Sequence, residues 1–295
     1  HWSKTRVIDV LRSALLSLFV SASGVAQAAI EDVCLPAEDP SRVVAAGGSI
    51  AEMLYSLGAG NLLVAVDSTA SYLPETVSLP SVGYVRNLSA EGILALKPSL
   101  ILGEHDMGPA EVLNQISSVE VEVKRIDERH SAQGIIDKFV CIARILGKED
   151  AAQDILKGQL AEVVTSLEKA TEASADLPRA ALVLNFVDNQ PIVAGANTSG
   201  DGLLRMAGAQ NIFSDIEGWK PLSRELLIAA NPEHLVVTER ALKSIGGLEG
   251  MLSDPLLAST NALSDDNVHA YGGMSLLGFG LQTLEVALSL KKAIE

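Results

Sequence analysis

The chain has 295 residues, a formal net charge of −15, and a composition that is 48% hydrophobic yet only 4% aromatic. That length suits one large or two modest domains, each big enough to bury a core. The acidic balance speaks against nucleic-acid or anionic-membrane binding, which need a basic footprint, so an anionic ligand has to be met by a local cation.

The first element in chain order is an export signal. Lys4, Arg6 and Arg12 form a basic start, residues 13–22 are uncharged, and Ala26-Gln27-Ala28 has the small-x-small form that a signal peptidase cuts. The apolar run falls short of the ~20 residues that span a bilayer. Residues 1–28 therefore read as a signal peptide, the alternative being a retained N-terminal anchor. Cys34 and Cys141 are the only cysteines. Export makes a disulfide chemically available, and their spacing fits no metal motif. Cys141 also lies in an apolar helical stretch that suits a buried free thiol, so both states stay open.

From Arg42 onward, short β-like runs alternate with helical ones, the pattern of an α/β protein. In the first lobe, 42–147, strands are predicted at 42–46, 62–66, 100–102 and 121–126, with a short extended piece at 82–84. Helices are predicted at 49–57, with Ser49 as cap and Gly58 at its end, at 89–96, capped by Ser89 and stopped before Pro98, and at 109–116 and 131–146. Residues 148–177 read as one linking helix. Their core, 150–175, is rich in helix formers, with Ile155, Leu160, Val163, Val164 and Leu167 at helical spacing. Uninterrupted, it would run ~40 Å, and Gly158 is its one internal weakness.

A second α/β series, 178–295, repeats features of the first. Ala46-Gly47-Gly48 precedes a helix ending near Gly58-Ala59-Gly60-Asn61, and Ala194-Gly195-Ala196 precedes one ending near Gly208-Ala209-Gln210-Asn211. Leu88-Ser89-Ala90-Glu91 leads to Pro98 and a strand, as Leu222-Ser223-Arg224-Glu225 leads to Pro232 and a strand. Two matches in the same order favour two similar lobes. The predicted fold is thus α/β, with two similar lobes joined by one long helix and a ligand cleft between them, where loops beyond strand ends converge. The alternative is a long helix packed inside a single domain.

Three segments carry a resemblance. They are Gly83-Tyr84-Val85-Arg86 followed by Leu88-Ser89-Ala90-Glu91-Gly92-Ile93-Leu94, then Ala194-Gly195-Ala196-Asn197-Thr198, and finally Met274-Ser275-Leu276-Leu277-Gly278-Phe279-Gly280-Leu281. The chain resembles the helical-backbone class of ABC-importer binding proteins, which carry haem, siderophores or cobalamin, and within it the periplasmic haem-binding proteins of bacterial haem uptake. The resemblance implies a periplasmic monomer that binds haem and delivers it to a dimeric inner-membrane permease. It implies Tyr84 as the axial ligand of haem iron, with Arg86 beside the phenolate. Iron(III) favours an anionic oxygen, and a neighbouring guanidinium favours the ionised phenol. In an extended segment, residues 84 and 86 would face the same way. Without the motif, Tyr84 reads first as a half-buried loop aromatic with a hydrogen-bonded hydroxyl, and only the motif reverses that order.

Some relatives add a histidine from the second lobe, but residues 184–190 here hold no His, Tyr, Met or Cys. Iron is therefore expected to be five-coordinate. His105, Tyr72 and Met274 are further cleft candidates, Met274 for apolar contact with the porphyrin face. Glu91 and Glu225 are implied docking residues for arginines of the permease, at equivalent positions that a two-fold partner would require; a first-turn Glu also simply favours the positive helix end. Glu52 reads as a helix-surface residue. A ferric-siderophore or cobalamin carrier of the same architecture is the near alternative. An enzyme is the distant one, since no nucleophile elbow, P-loop or His-Glu-x-x-His is present.

Overall fold

The computed structural model describes residues 33–171 and 176–295. The signal peptide expected at 1–28 lies outside them. The N-terminal lobe runs β1 (Val43–Ala46), α1 (Gly48–Ser56), β2 (Leu63–Val66), β3 (Gly83–Tyr84), β4 (Asn87–Leu88), α2 (Ala90–Leu94), β5 (Leu100–Glu104), α3 (Ala110–Ser117), β6 (Glu122–Ile126) and α4 (Ala132–Ile145). Its sheet is parallel throughout, in the order β2-β1-β5-β6. A parallel sheet is covered on both faces. Accordingly, every residue of β1 is buried.

The linker is helical but not one helix. It is split into α5 (Glu149–Lys157) and α6 (Ala161–Thr171). Gly158 leaves the helical region, at φ −98° and ψ −93°. Glycine holds a helix weakly, and the bend lets both Leu160 and Leu167 reach the core, at 4% and 1% exposure. The expected uninterrupted rod gave weight to propensity and missed this tertiary demand.

The C-terminal lobe follows with β7 (Arg179–Val187), β8 (Gln190–Ala194), α7 (Ser199–Met206), β9 (Gln210–Asn211), β10 (Trp219–Pro221), α8 (Arg224–Ala230), β11 (His234–Thr238), α9 (Glu239–Ser244), α10 (Gly247–Ser253), α11 (Asn261–Ser264), β12 (Val268–Tyr271), α12 (Gly273–Leu277) and α13 (Leu281–Ile294). Its sheet order is β10-β8-β7-β11-β12, with β9 beside β7. β7, β11 and β12 are parallel, while β8 is antiparallel to both of its neighbours. The two lobes share the α/β plan. Ser89, Ser131 and Ser223 each cap a helix by accepting a backbone N–H, at 3.3, 3.0 and 3.3 Å.

One apolar cluster crosses between the lobes. It joins Ile50, Leu54 and Phe139 of the first to Leu203, Phe279 and Leu284 of the second, with α13 touching both α1 and α4. Separate clusters back each sheet on its other face. No helix among the described residues is long and apolar enough to cross a membrane.

Cys34 and Cys141 form a disulfide across a separation of 107 residues, which resolves the alternative left open by sequence. It fastens the start of the described chain to α4. Closing so long a loop restricts the unfolded chain, so replacing both cysteines by serine should cost ~2–4 kcal/mol. Urea denaturation measures this; an unchanged midpoint would show that the bridge does not constrain folding.

Candidate ligand-binding cleft

Tyr84 is placed by a buried carboxylate. Asp67, 1% exposed, accepts hydrogen bonds from the backbone N–H groups of Gly47, Thr69 and Val85 at 2.9, 3.1 and 3.1 Å, and from the Thr69 hydroxyl at 2.8 Å. Burial pushes its carboxyl pKa up, and these donors pull against that rise. Asp67 therefore ties the end of β2 to the β1–α1 turn and to the segment bearing Tyr84. That segment is a tight hairpin, in which Tyr84 pairs with Asn87. Gly83 enters it at φ +89°, a conformation suited to glycine. Val85 is buried, whereas Tyr84 stays 46% exposed over a cavity.

The hairpin corrects the extended geometry expected for residues 84 and 86. The extended run lasts only two residues before the backbone turns. Both side chains still line one cavity of about 340 Å³. Arg86 donates its Nε–H to Asp106 at 2.6 Å, and that bond raises the guanidinium pKa further. The other oxygen of Asp106 is buried without a partner.

The cavity lies between the lobes. Tyr84, Arg86 and His105 come from the first, and Asn197, Trp219, Met274 and Leu277 from the second. Four sequence candidates thus meet: Tyr84, Arg86, His105 and Met274. Tyr72 does not line the cavity. Its hydroxyl donates to Glu52 at 2.7 Å, and burial together with that carboxylate pushes the phenol far above its ordinary pKa. Residues 184–190 contribute nothing to the lining either; they form the β7–β8 hairpin, with Asp188 and Asn189 at φ 49° and 62°. Glu91 and Glu225 are exposed in the first turns of α2 and α8, outside the cavity.

Sequence reasoning missed the floor of the cleft. Lys138 is 2% exposed, and its ammonium donates to Glu128 at 2.8 Å and to the Ser49 hydroxyl at 3.0 Å. Ser49 in turn donates to Glu104 at 2.6 Å, so it braces the floor and does not cap α1; Gly47 holds the cap position. A Cβ on Gly47 would stand 2.4 Å from the Glu104 side chain, which is why glycine is needed there. Burial opposes ionisation of Glu128, but the His130 hydrogen bond and the Lys138 charge outweigh it and hold the pKa at about 2. Burial pushes Glu104 up to about 7 against the pull of Lys138 and Ser49. His130 continues the chain of contacts into the other lobe, its ring 4.8 Å from that of Phe279. The legible signal was Lys138 itself, a cation on the apolar stripe of α4 beside Ile135, Phe139 and Ile142.

Glu52 corrects a second reading. It is 5% exposed, not a surface residue. It accepts the Tyr72 hydroxyl and, at 2.8 Å, the backbone N–H of Gln282 in the first turn of α13. Burial raises its pKa despite these donors. A carboxylate of the first lobe thus caps the last helix of the second.

The pattern of periplasmic binding proteins matches residues 43–273. The chain belongs to the periplasmic binding protein family. Solved structures of this family are similar over most of its length. The periplasmic heme-binding protein RhuT from Roseiflexus sp. RS-1 is 34% identical, with a TM-score of 0.76, covering 86% of this chain and 97% of that one. The periplasmic heme-binding protein BhuT, in complex with two hemes, is 32% identical with a TM-score of 0.78, covering 86% and 99%. Among curated relatives, the vitamin B12-binding protein of Yersinia pestis (strain Pestoides F) is 27% identical over 224 residues, 76% of this chain and 78% of that protein.

The floor of this periplasmic binding protein has a pH signature. A carboxyl raised to about 7 takes up a proton on folding between its ordinary range and that value. Stability gained from it is complete below the ordinary carboxyl value of 4.5 and is lost as pH rises through 7. Glu104→Gln removes the titration while keeping an acceptor for Ser49. The variant should melt with wild type near pH 4 and at least roughly 2–4 °C above it at pH 8. Equal melting at both pH values would contradict the assignment.

Proposed function

We propose that this chain binds haem in the cleft between its lobes, through Tyr84 as the axial iron ligand, and delivers it to an ABC permease. The observation that carries the reading is the Tyr84 phenol, on a hairpin pinned by Asp67, half exposed opposite Trp219 and Met274. A porphyrin needs flat apolar walls and one strong axial bond; iron(III) is hard and takes a phenolate oxygen. Arg86 lies in the same lining, where it can meet a propionate. Met274 and Leu277 supply apolar contact, and His105 stands at the rim. Tyr72 has no part as a ligand, because ionising it would set a phenolate against Glu52.

The charge of the lining also bears on ligand class. Arg86 is its one lysine or arginine, and Asp106 already holds it. A highly anionic ferric siderophore would find little to neutralise it, whereas haem carries only two propionates. The B12-binding relatives keep a cobalamin reading in view. Family membership supports transport and not catalysis as the task. Export through residues 1–28 would place the protein in the periplasm as a monomer. Glu91 and Glu225, exposed at equivalent helix starts, are read as the residues that meet a dimeric permease.

In a chain starting at residue 29, Trp219 is the one tryptophan, and it lines the cleft. Titrating hemin should quench its fluorescence saturably and give a tyrosinate-type visible spectrum. Tyr84→Phe should lose that spectrum and weaken binding by at least about tenfold, since even outer-sphere losses at a metal site reach that scale. An unchanged spectrum in the variant would remove Tyr84 as ligand. Saturable quenching by cyanocobalamin with none by hemin would favour the second reading.

A further inference from the structure

We infer that the C-terminal lobe meets the permease through an apolar patch beside Glu225 that is larger than its counterpart on the N-terminal lobe, so that docking is asymmetric; this rests on the transport reading above. Leu248 and Leu252 stand four residues apart on the outer face of α10, 38% and 48% exposed, while Met251 between them is fully buried. Leu256 follows at 48% and Leu226, next to Glu225, at 55%.

These leucines are joined by a fixed framework. Arg224, in the first turn of α8, forms an ion pair with Asp254. The same Asp254 accepts the backbone N–H of Leu256 at 3.0 Å. The helical turn Leu257–Ser259 packs on both α8 and α10. Leu226 and Leu256 are thereby held on either side of one ion pair, with Glu225 at the edge of the patch. Glu249 adds a further exposed acid.

The other lobe supplies an internal control. Ile93 and Leu227 are both buried, at 0% and 1%, so Ser89-Ala90-Glu91-Gly92-Ile93 aligns with Ser223-Arg224-Glu225-Leu226-Leu227. Leu226 thus occupies the place of Gly92. Between the neighbouring strands β5 and β6, α3 turns Glu111, Asn114 and Gln115 to solvent, and Val119 just past its end is the one exposed large apolar side chain there. Between β11 and β12, α10 turns out leucines instead. Four exposed leucines beside the docking acid of one lobe, against the single Val119 near that of the other, with acids at the rim, fit a partner surface that is apolar at its centre and basic at its edge. The occupant is the permease subunit that receives Glu225.

The test measures association with the permease–ATPase complex in lipid nanodiscs, alongside hemin titration, thermal melting and sedimentation. Leu226→Ser, Leu252→Ser and Leu256→Ser together should weaken association about tenfold or more, leaving hemin uptake and melting unchanged. Leu252→Lys alone should act in the same direction, and Asn114→Ala with Gln115→Ala on the other lobe should have no effect. Association of the triple variant within about twofold of wild type would overturn the inference, as would a wild-type dimer in solution that the triple variant abolishes. Glu91→Ala with Glu225→Ala reports on the underlying reading separately. If that pair leaves association intact, or wild type does not associate, docking through these faces is wrong altogether. If the acids matter and the leucines do not, only the patch falls.

Discussion

Asp67 has lost nearly all contact with water, and a carboxylate so placed must find its hydrogen bonds inside the protein. It finds four, on three separate stretches of chain. Each donor it gathers fixes a segment: the turn into α1, the start of the 68–72 helical turn, and the hairpin of Tyr84. The hairpin is a two-residue ribbon that could not hold its own shape. Its geometry is therefore set from outside, by Asp67 on Val85 and by the Gly108 backbone, which bonds Val85 and Leu88, and the direction of the Tyr84 phenol with it. The proposed axial bond depends on this arrangement more than on any residue inside the cavity.

The second constraint sets one lobe against the other. α13 begins at Gly280 without a side-chain cap of its own, and Glu52 supplies the missing acceptor from across the interface. The approach is close enough that a Cβ on Gly280 would stand 2.6 Å from the Glu52 carboxylate. Tyr72 locks the other side of that carboxylate, and the shared apolar cluster surrounds the pair. Buried groups matched so closely favour discrete arrangements over continuous sliding. Small hinge movements fit this interface better than wide opening.

Much of the scaffold was legible in the sequence because its signals are local. Ser89, Ser131 and Ser223 stand where caps must stand, and strand patterns separated by helix formers gave the order of elements. The duplication around Glu91 and Glu225 was readable for the same reason, since equivalent loops obey equivalent rules. What escaped was the work done by the opposite lobe. Glu52 on α1 looks like any acid on an amphipathic helix until α13 arrives to cover it. Ser49 has the form of a cap, yet the demand of Glu104 and Lys138 for a hydroxyl outweighs that role. Gly158 was seen as a weak point, but only the inward pull on Leu160 and Leu167 explains why the helix breaks there. Tyr84 itself came from its motif; its exposure over a two-lobed cavity is a tertiary fact that no local pattern encodes.

The most direct measurement is anomalous diffraction at the iron edge from crystals of the hemin-loaded protein. The account predicts an iron peak within bonding distance of the Tyr84 phenolic oxygen, with the porphyrin face against Met274 and Trp219. Iron bound instead through His105 or His130, or a peak outside the cleft, would contradict it.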